Sequence, residues 1–194
     1  MKKIILASAS PRRREILKIT GLEFTVCESD YEEDLDLALR PRELARFLSL
    51  KKAEAVARRH RDAIIIAADT FIVFRDKLLG KPHTETEALK MLKMLNGRAH
   101  TVITGFTIIE SGGNKISSRS VETKVYFKKL GIEEIKAYVR SKEPLDKAGA
   151  YAIQGLGAVF IEKIEGDFFN VMGLPLCALS EGLKKFGIHV LKKQ

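Results

Sequence analysis

Residues 3–21 read KIILASASPRRREILKITG, and they set the character of the chain. Lys3 to Ala7 is a short apolar run of the kind that forms a buried strand. Ser10 stands where a helix N-cap belongs, Pro11 occupies the first helical position and Gly21 falls just past the end, so the spacing predicts a helix from Pro11 to about Ile19. Strand, loop and capped helix in that order begin an α/β chain. Arg12, Arg13 and Arg14 contradict the local electrostatics. The first helical turn carries unpaired N–H groups and the positive end of the macrodipole, and a cation there is unfavourable by up to about 1 kcal/mol.

Helical geometry separates the three arginines. Ile16, Leu17 and Thr20 lie three, four and seven residues after Arg13, so Arg13 continues the line of the apolar face, while Arg12 and Arg14 sit about 100° to either side. A solvated basic turn suits Arg14 well, Arg12 less well and Arg13 poorly. A multiply charged anion at the strand-to-helix junction resolves the conflict. Guanidinium forks, the Ser8 and Ser10 hydroxyls and the free helix N–H groups all donate to phosphate oxygens.

Outward from this segment the pattern alternates. A strand is expected near Phe24–Cys27, then the acidic stretch ESDYEED, a helix over Pro41–Arg59 and the apolar strand AIIIAADTFIVF. LLGKP reads as a turn, and Thr84 with Glu87 forms a capping box for a helix closed by Gly97. Strands near 101–110 and 118–127 flank Ser111-Gly112-Gly113-Asn114, a hairpin signature, and helices follow near 132–139 and 175–186. This order predicts an α/β fold with a mixed sheet, in two lobes around a cleft. The doubly wound nucleotide folds are disfavoured: no Gly-x-Gly-x-x-Gly follows the first strand, and Gly80-Lys81-Pro82 lacks the remaining elements of a P-loop.

The chain has 194 residues, with 34 basic and 25 acidic side chains and a formal charge of +9, a balance that favours anionic partners. The lysines are scattered and not interleaved with aromatics, so a solvated surface explains most of them. No apolar run approaches the roughly 18 residues of a membrane span, and the start is too short for a signal peptide, so we expect a cytoplasmic protein. Cys27 and Cys177 lack metal-ligand or disulfide-framework spacing and read as buried small hydrophobes.

Asp69 poses the opposite problem to the arginines. It lies between AIIIAA and TFIVF, where an ionised carboxylate needs a cation, strong donors or a raised pKa. It is either a functional carboxylate or the cap of a bulge, and its surroundings favour the first. Glu32 or Glu33 in the acidic loop offers a second carboxylate, and such oxygen ligands suit Mg²⁺ or Mn²⁺. Lys52, at the edge of the helix face made by Leu44, Phe47, Leu48 and Ala55, and Lys81, in a tight turn after a strand, are surface lysines or site cations. Their company with Arg13 and Asp69 makes them candidates.

LASASPRRREIL, AADTFIV, LGKP and EPLDKAGAYAIQGLGAVFIEKIEGDFFNVMGLPL together resemble the Maf family of nucleoside triphosphate pyrophosphatases, from Ile4 to about Leu183. The resemblance implies a single Maf-like domain over 1–194, an elongated α/β fold related to inosine triphosphate pyrophosphatases, and a homodimer. It further implies metal-dependent hydrolysis of a nucleoside triphosphate to monophosphate and pyrophosphate. By the same resemblance Ser8, Arg12, Arg13, Lys52 and Lys81 surround the phosphates, Glu33 and Asp69 hold the metal, and Asp69 is the general base. Arg12, Thr70 and Gln154 match the branch that prefers dTTP and UTP, and Asp146-Lys147 belongs to the second wall of the cleft. Gln154 carries an amide donor and acceptor, which suits a uracil or thymine edge, although it equally suits the glycine-rich backbone around it. The competing class is a nucleic-acid-binding or division-regulating interaction protein; such a module has no need of Asp69 in an apolar strand.

Overall fold

The computed structural model describes residues 2–32 and 37–191. Its elements are β1 (Lys3–Ala7), α1 (Pro11–Lys18), β2 (Phe24–Val26), α2 (Pro41–Arg59), β3 (Ala63–Phe74), β4 (Lys77–Leu79) and α3 (Glu85–Leu95). There follow β5 (Ala99–Glu110), β6 (Ile116–Phe127), α4 (Ile132–Arg140), three short 3-10 turns between 143 and 160, β7 (Ile161–Glu165), α5 (Phe168–Met172) and α6 (Leu176–Lys184). The strands form one mixed sheet in the order β2-β1-β3-β5-β6-β7, with β4 paired to β3 off that path. β1 runs parallel to β2 and to β3, with Ala7 opposite Ala67, whereas β3–β4 and β6–β7 are antiparallel. The expected mixed α/β sheet with flanking helices is therefore present.

The chain divides into two compact units, residues 1–69, 104–121 and 173–194 in one, and 70–103 and 122–172 in the other. In the first, Ile5, Ala7, Ile65 and Ala67 meet Ala53 and Val56 of α2. The buried line of α2 is Leu44, Ala45, Leu48, Ser49, Ala53 and Val56, and Phe47 and Ala55 are only half-buried. Close packing of backbones explains the preference for small residues: a Cβ at Gly105 would lie 2.1 Å from the Ala45 carbonyl oxygen. The buried Ser49 hydroxyl donates to the Arg46 carbonyl at 2.8 Å and lies 2.8 Å from the Thr107 hydroxyl, which in turn donates to Ser118. Burying these hydroxyls is tolerable because they have partners.

The second unit has its own core, in which Ile72, Leu92, Val125, Phe127, Tyr138, Tyr151 and Phe160 are buried together. His100 sits edge-on to Phe127 and Tyr151 and its Nε2 is 2.7 Å from the Tyr151 hydroxyl. Burial pushes its pKa down from 6.5 to about 4. Below pH 6.5 the unfolded chain takes up a proton that folded His100 refuses, so its stabilising contribution is complete above pH 6.5 and is lost as pH falls toward 4. The total is about 3 kcal/mol. Denaturant melts at pH 8 and pH 5 are expected to show about 2 kcal/mol of this loss in the wild type and a smaller one in His100→Gln.

Four expectations need correction. LLGKP is not wholly turn, because Lys77–Leu79 forms β4 and the hairpin turn is Arg75-Asp76, both left-handed at φ 48° and 60°. The Thr84 side chain accepts from the Glu87 N–H as expected, but the reciprocal Glu87 carboxylate accepts from His83 N–H, one residue earlier. Cys27 is half-buried and Cys177 exposed, because one follows the edge strand β2 and the other lies in the first turn of α6. The face of α2 is shifted as described above. Among the described residues no helix is long and apolar enough to cross a membrane.

Candidate functional site

In the first unit two clusters form at one end of the parallel strand pair. β1 ends at Ala7 opposite Ala67, so the loop beginning at Ser8 leaves the sheet where β3 continues to Asp69. Open α/β sheets carry their ligands outside the carboxyl ends of such strands.

The loop is held by its own hydroxyls and one arginine. Ser8 Oγ accepts from Ser10 N–H and from an Arg13 terminal nitrogen, both at 3.2 Å, and Ser10 caps α1 by accepting from Arg13 N–H at 3.4 Å. Arg13 Nε donates to the Gly173 carbonyl at 2.8 Å. Ser8 is buried, Arg12 and Arg13 are half-buried and Arg14 is exposed, so the expected contrast between Arg13 and Arg14 is present while Arg12 falls with Arg13. The Gly173 carbonyl was not legible in the sequence, since it lies 160 residues away in the chain.

Asp69 is 6 % exposed and meets Lys52 of α2, whose Nζ lies 2.5 Å from Oδ1. Of the three ways to keep a carboxylate in an apolar strand, the chain uses a cation. Lys52 and Asp69 were separate candidates, and the packing of α2 on β3 brings them into one ion pair. Glu33 lies outside the described residues, and the neighbouring Glu32 is exposed.

The second unit holds the other candidates. Thr70, half-buried, directly follows Asp69, and both Thr70 and Lys81 lie at the end of the β3–β4 hairpin opposite its Arg75-Asp76 turn. Lys81 is exposed, and its turn is pinned where Gly149 N–H donates to the Gly80 carbonyl at 2.9 Å. At Gly149 φ is +66° and a Cβ would lie 2.4 Å from the tip of the Ile72 side chain, so any other residue is strained there. Lys147 is mostly buried and ion-paired with the exposed Asp146. Gln154 is exposed on a loop whose backbone is tied to Glu143 and Tyr138. Burial, and then the hydrogen bond to Glu143, pushes the Tyr138 hydroxyl well above the ordinary phenol range, which keeps it a neutral donor. Sequence reasoning passed over Glu143; the two glycines around Leu156 were the available signal.

Among the described residues no group of three or more His, Cys, Asp or Glu side chains forms a metal cage. Asp69 instead offers one carboxylate. That fits a hard cation which takes one or two protein carboxylates and completes its shell with substrate phosphates and water.

Fold and side chains together define an α/β protein that gathers a cation-rich loop and a lysine-held carboxylate at the end of parallel strands. The family model for Maf-like proteins matches residues 3–186, and the chain belongs to that family. It is 49% identical over 194 residues to a Methanosarcina barkeri protein named dTTP/UTP pyrophosphatase, covering 100% of this chain and 98% of the relative. Proteins of the same name from Methanococcoides burtonii and Bacillus cereus are 49% and 46% identical, each over 98% of this chain and over 98% and 93% of their own lengths. Among solved structures, the Staphylococcus aureus Ham1 protein is similar over 77% of this chain and 85% of its own, at 18% identity and a TM-score of 0.43.

Proposed function

We propose that this chain hydrolyses dTTP and UTP to the nucleoside monophosphate and pyrophosphate. Full-length relatives of that name support the activity. The observation that carries the reading is Asp69, held in an apolar strand by an ion pair with Lys52, in the same unit as the Ser8–Arg13 loop.

Asp69 accepts the proton of the water that attacks the α-phosphorus. Ser8, Arg12, Arg13, Lys52 and Lys81 hold the triphosphate and the charge that develops on departing pyrophosphate. The Lys52 pair keeps the Asp69 carboxylate in place for its task. A divalent cation, Mg²⁺ or Mn²⁺, would be held by Asp69 and Glu33; when bound it supplies charge neutralisation across the phosphate oxygens. Arg12, Thr70 and Gln154 select the base, Gln154 through its amide donor and acceptor. We place the enzyme in the cytoplasm as a homodimer that works on free nucleotides, engages neither membrane nor nucleic acid stably, and serves the upkeep of the nucleotide pool, modified pyrimidine nucleotides included.

Incubation with dTTP and added metal is expected to yield dTMP and pyrophosphate in equal amounts, with UTP handled similarly and ATP hardly touched. Product analysis giving dTDP and orthophosphate would overturn the reaction.

A further inference from the structure

Glu143 receives three donors. Its Oε1 accepts from the Tyr138 hydroxyl at 3.0 Å and from Gly157 N–H at 3.1 Å, and its Oε2 accepts from Leu156 N–H at 3.0 Å. The Tyr138 oxygen in turn accepts from Ala152 N–H at 3.3 Å. Backbone amides on both sides of Gln154 thus converge on one tyrosine–glutamate pair. An ionised carboxylate suits this place because it accepts at both oxygens and donates at neither.

The loop closes on the pair too tightly for side chains. A Cβ at Gly155 would lie 2.7 Å from Glu143 Oε2, with φ at +77°, and a Cβ at Gly157 would lie 2.6 Å from both the Ala152 carbonyl and the Tyr138 hydroxyl. Glu143 is itself held at the end of α4, where its N–H donates to Ser141 Oγ at 3.3 Å and Lys142 before it turns left-handed. The backbone from 152 to 157 is therefore fixed while the Gln154 amide stays exposed.

We propose that Glu143, with Tyr138, is the positioning element for Gln154 and sets how sharply the enzyme tells uracil from cytosine. This rests on the reading of Gln154 as the base-selecting residue. Hydrogen-bond readout of an edge depends on the amide being held still. Cytosine carries a 4-amino donor where uracil has the O4 acceptor and a bare N3 where uracil has N3–H, so both donor–acceptor positions are reversed, and a fixed amide meets them with a mismatch that a loose amide escapes by turning.

The test measures kcat and KM for UTP and CTP in the wild type, Glu143→Gln, Gln154→Ala and the double variant, with added metal. Glu143→Gln keeps size but sets an NH₂ group against a backbone or tyrosine donor. It is expected to cut the UTP-over-CTP ratio of kcat/KM about tenfold, through KM, with kcat for UTP within about threefold of wild type. Gln154→Ala should cut the ratio at least as far, and the double variant no further than Gln154→Ala alone. Tyr138→Phe, which removes only the shared hydroxyl, should move the ratio in the same direction and serves if Glu143→Gln fails to fold.

A Gln154→Ala variant with a lowered ratio beside Glu143→Gln and Tyr138→Phe variants with the wild-type ratio would overturn the positioning role alone. So would losses that simply add in the double variant, or a fall in kcat with the ratio unchanged. If Gln154→Ala keeps the wild-type ratio, the base-selecting reading fails and this proposal falls with it.

Discussion

Asp69→Asn is expected to lower kcat for dTTP by about 10²–10⁴-fold, the usual cost of losing a general base. Asparagine keeps the shape of the side chain, and its amide oxygen can still accept from the Lys52 ammonium that now lies 2.5 Å from the carboxylate. What it loses is the ability to take a proton. The ion pair is only about a tenth exposed on each side, so removing its negative member leaves a poorly solvated cation, and stability should fall by up to about 3 kcal/mol. The experiment therefore needs three readings: kcat, triphosphate affinity with and without metal, and thermal melting. Turnover near the wild-type level in a folded variant would place the base elsewhere. Metal-dependent loss of affinity in the same variant would identify Asp69 as a metal ligand as well.

The arginine series should separate as sharply. Arg13→Ala is expected to lower kcat/KM by about 10–10²-fold, since a lost charge-assisted phosphate contact is worth about 1.5–3 kcal/mol, whereas Arg14→Ala, on the exposed side, should change it less than about twofold. Arg12→Ala should slow the reaction and also blur the choice among nucleotides. Stability divides the three differently. The macrodipole alone makes removal of any of them neutral or slightly stabilising. Arg13, however, donates to Ser8 and to the Gly173 carbonyl, and these bonds outweigh the dipole. Arg13→Ala should lower the melting temperature of the unliganded protein while Arg14→Ala leaves or raises it. Equal and small kinetic effects at all three positions would make the run a solvated turn.

Local punctuation explains what was legible in the sequence. Ser10, Pro11 and Gly21 bounded α1, and the limits of α2 were readable from Pro41 and the apolar period that follows it. β4 was hidden because its hairpin turns on Arg75-Asp76, where two non-glycine residues hold left-handed backbone that tight turns usually give to Gly or Asn. The segment from 148 to 172 also stayed unread. Its 3-10 turns, the five-residue β7 and the five-residue α5 are too short to show a period. The same division holds for the site. That Asp69 needed a partner followed from its neighbours in the strand, but that the partner is Lys52 follows only from the packing of α2 on β3. Glu143 was invisible for a further reason: its three donors are two backbone amides and one tyrosine, and backbone groups carry no residue identity.

The bond from Arg13 to the Gly173 carbonyl also fixes an order of events on the ribosome. The arginine is made 160 residues before its acceptor, and the unit that contains both draws on residues 173–194. The other unit has all its residues once Met172 has been added. A nascent chain therefore holds the complete sequence of the unit carrying Gln154 while the loop of Ser8 and Arg13 still lacks its last anchor. A chain stopped short of Gly173 has every residue of the Ser8–Arg13 loop without the carbonyl that accepts from its central guanidinium.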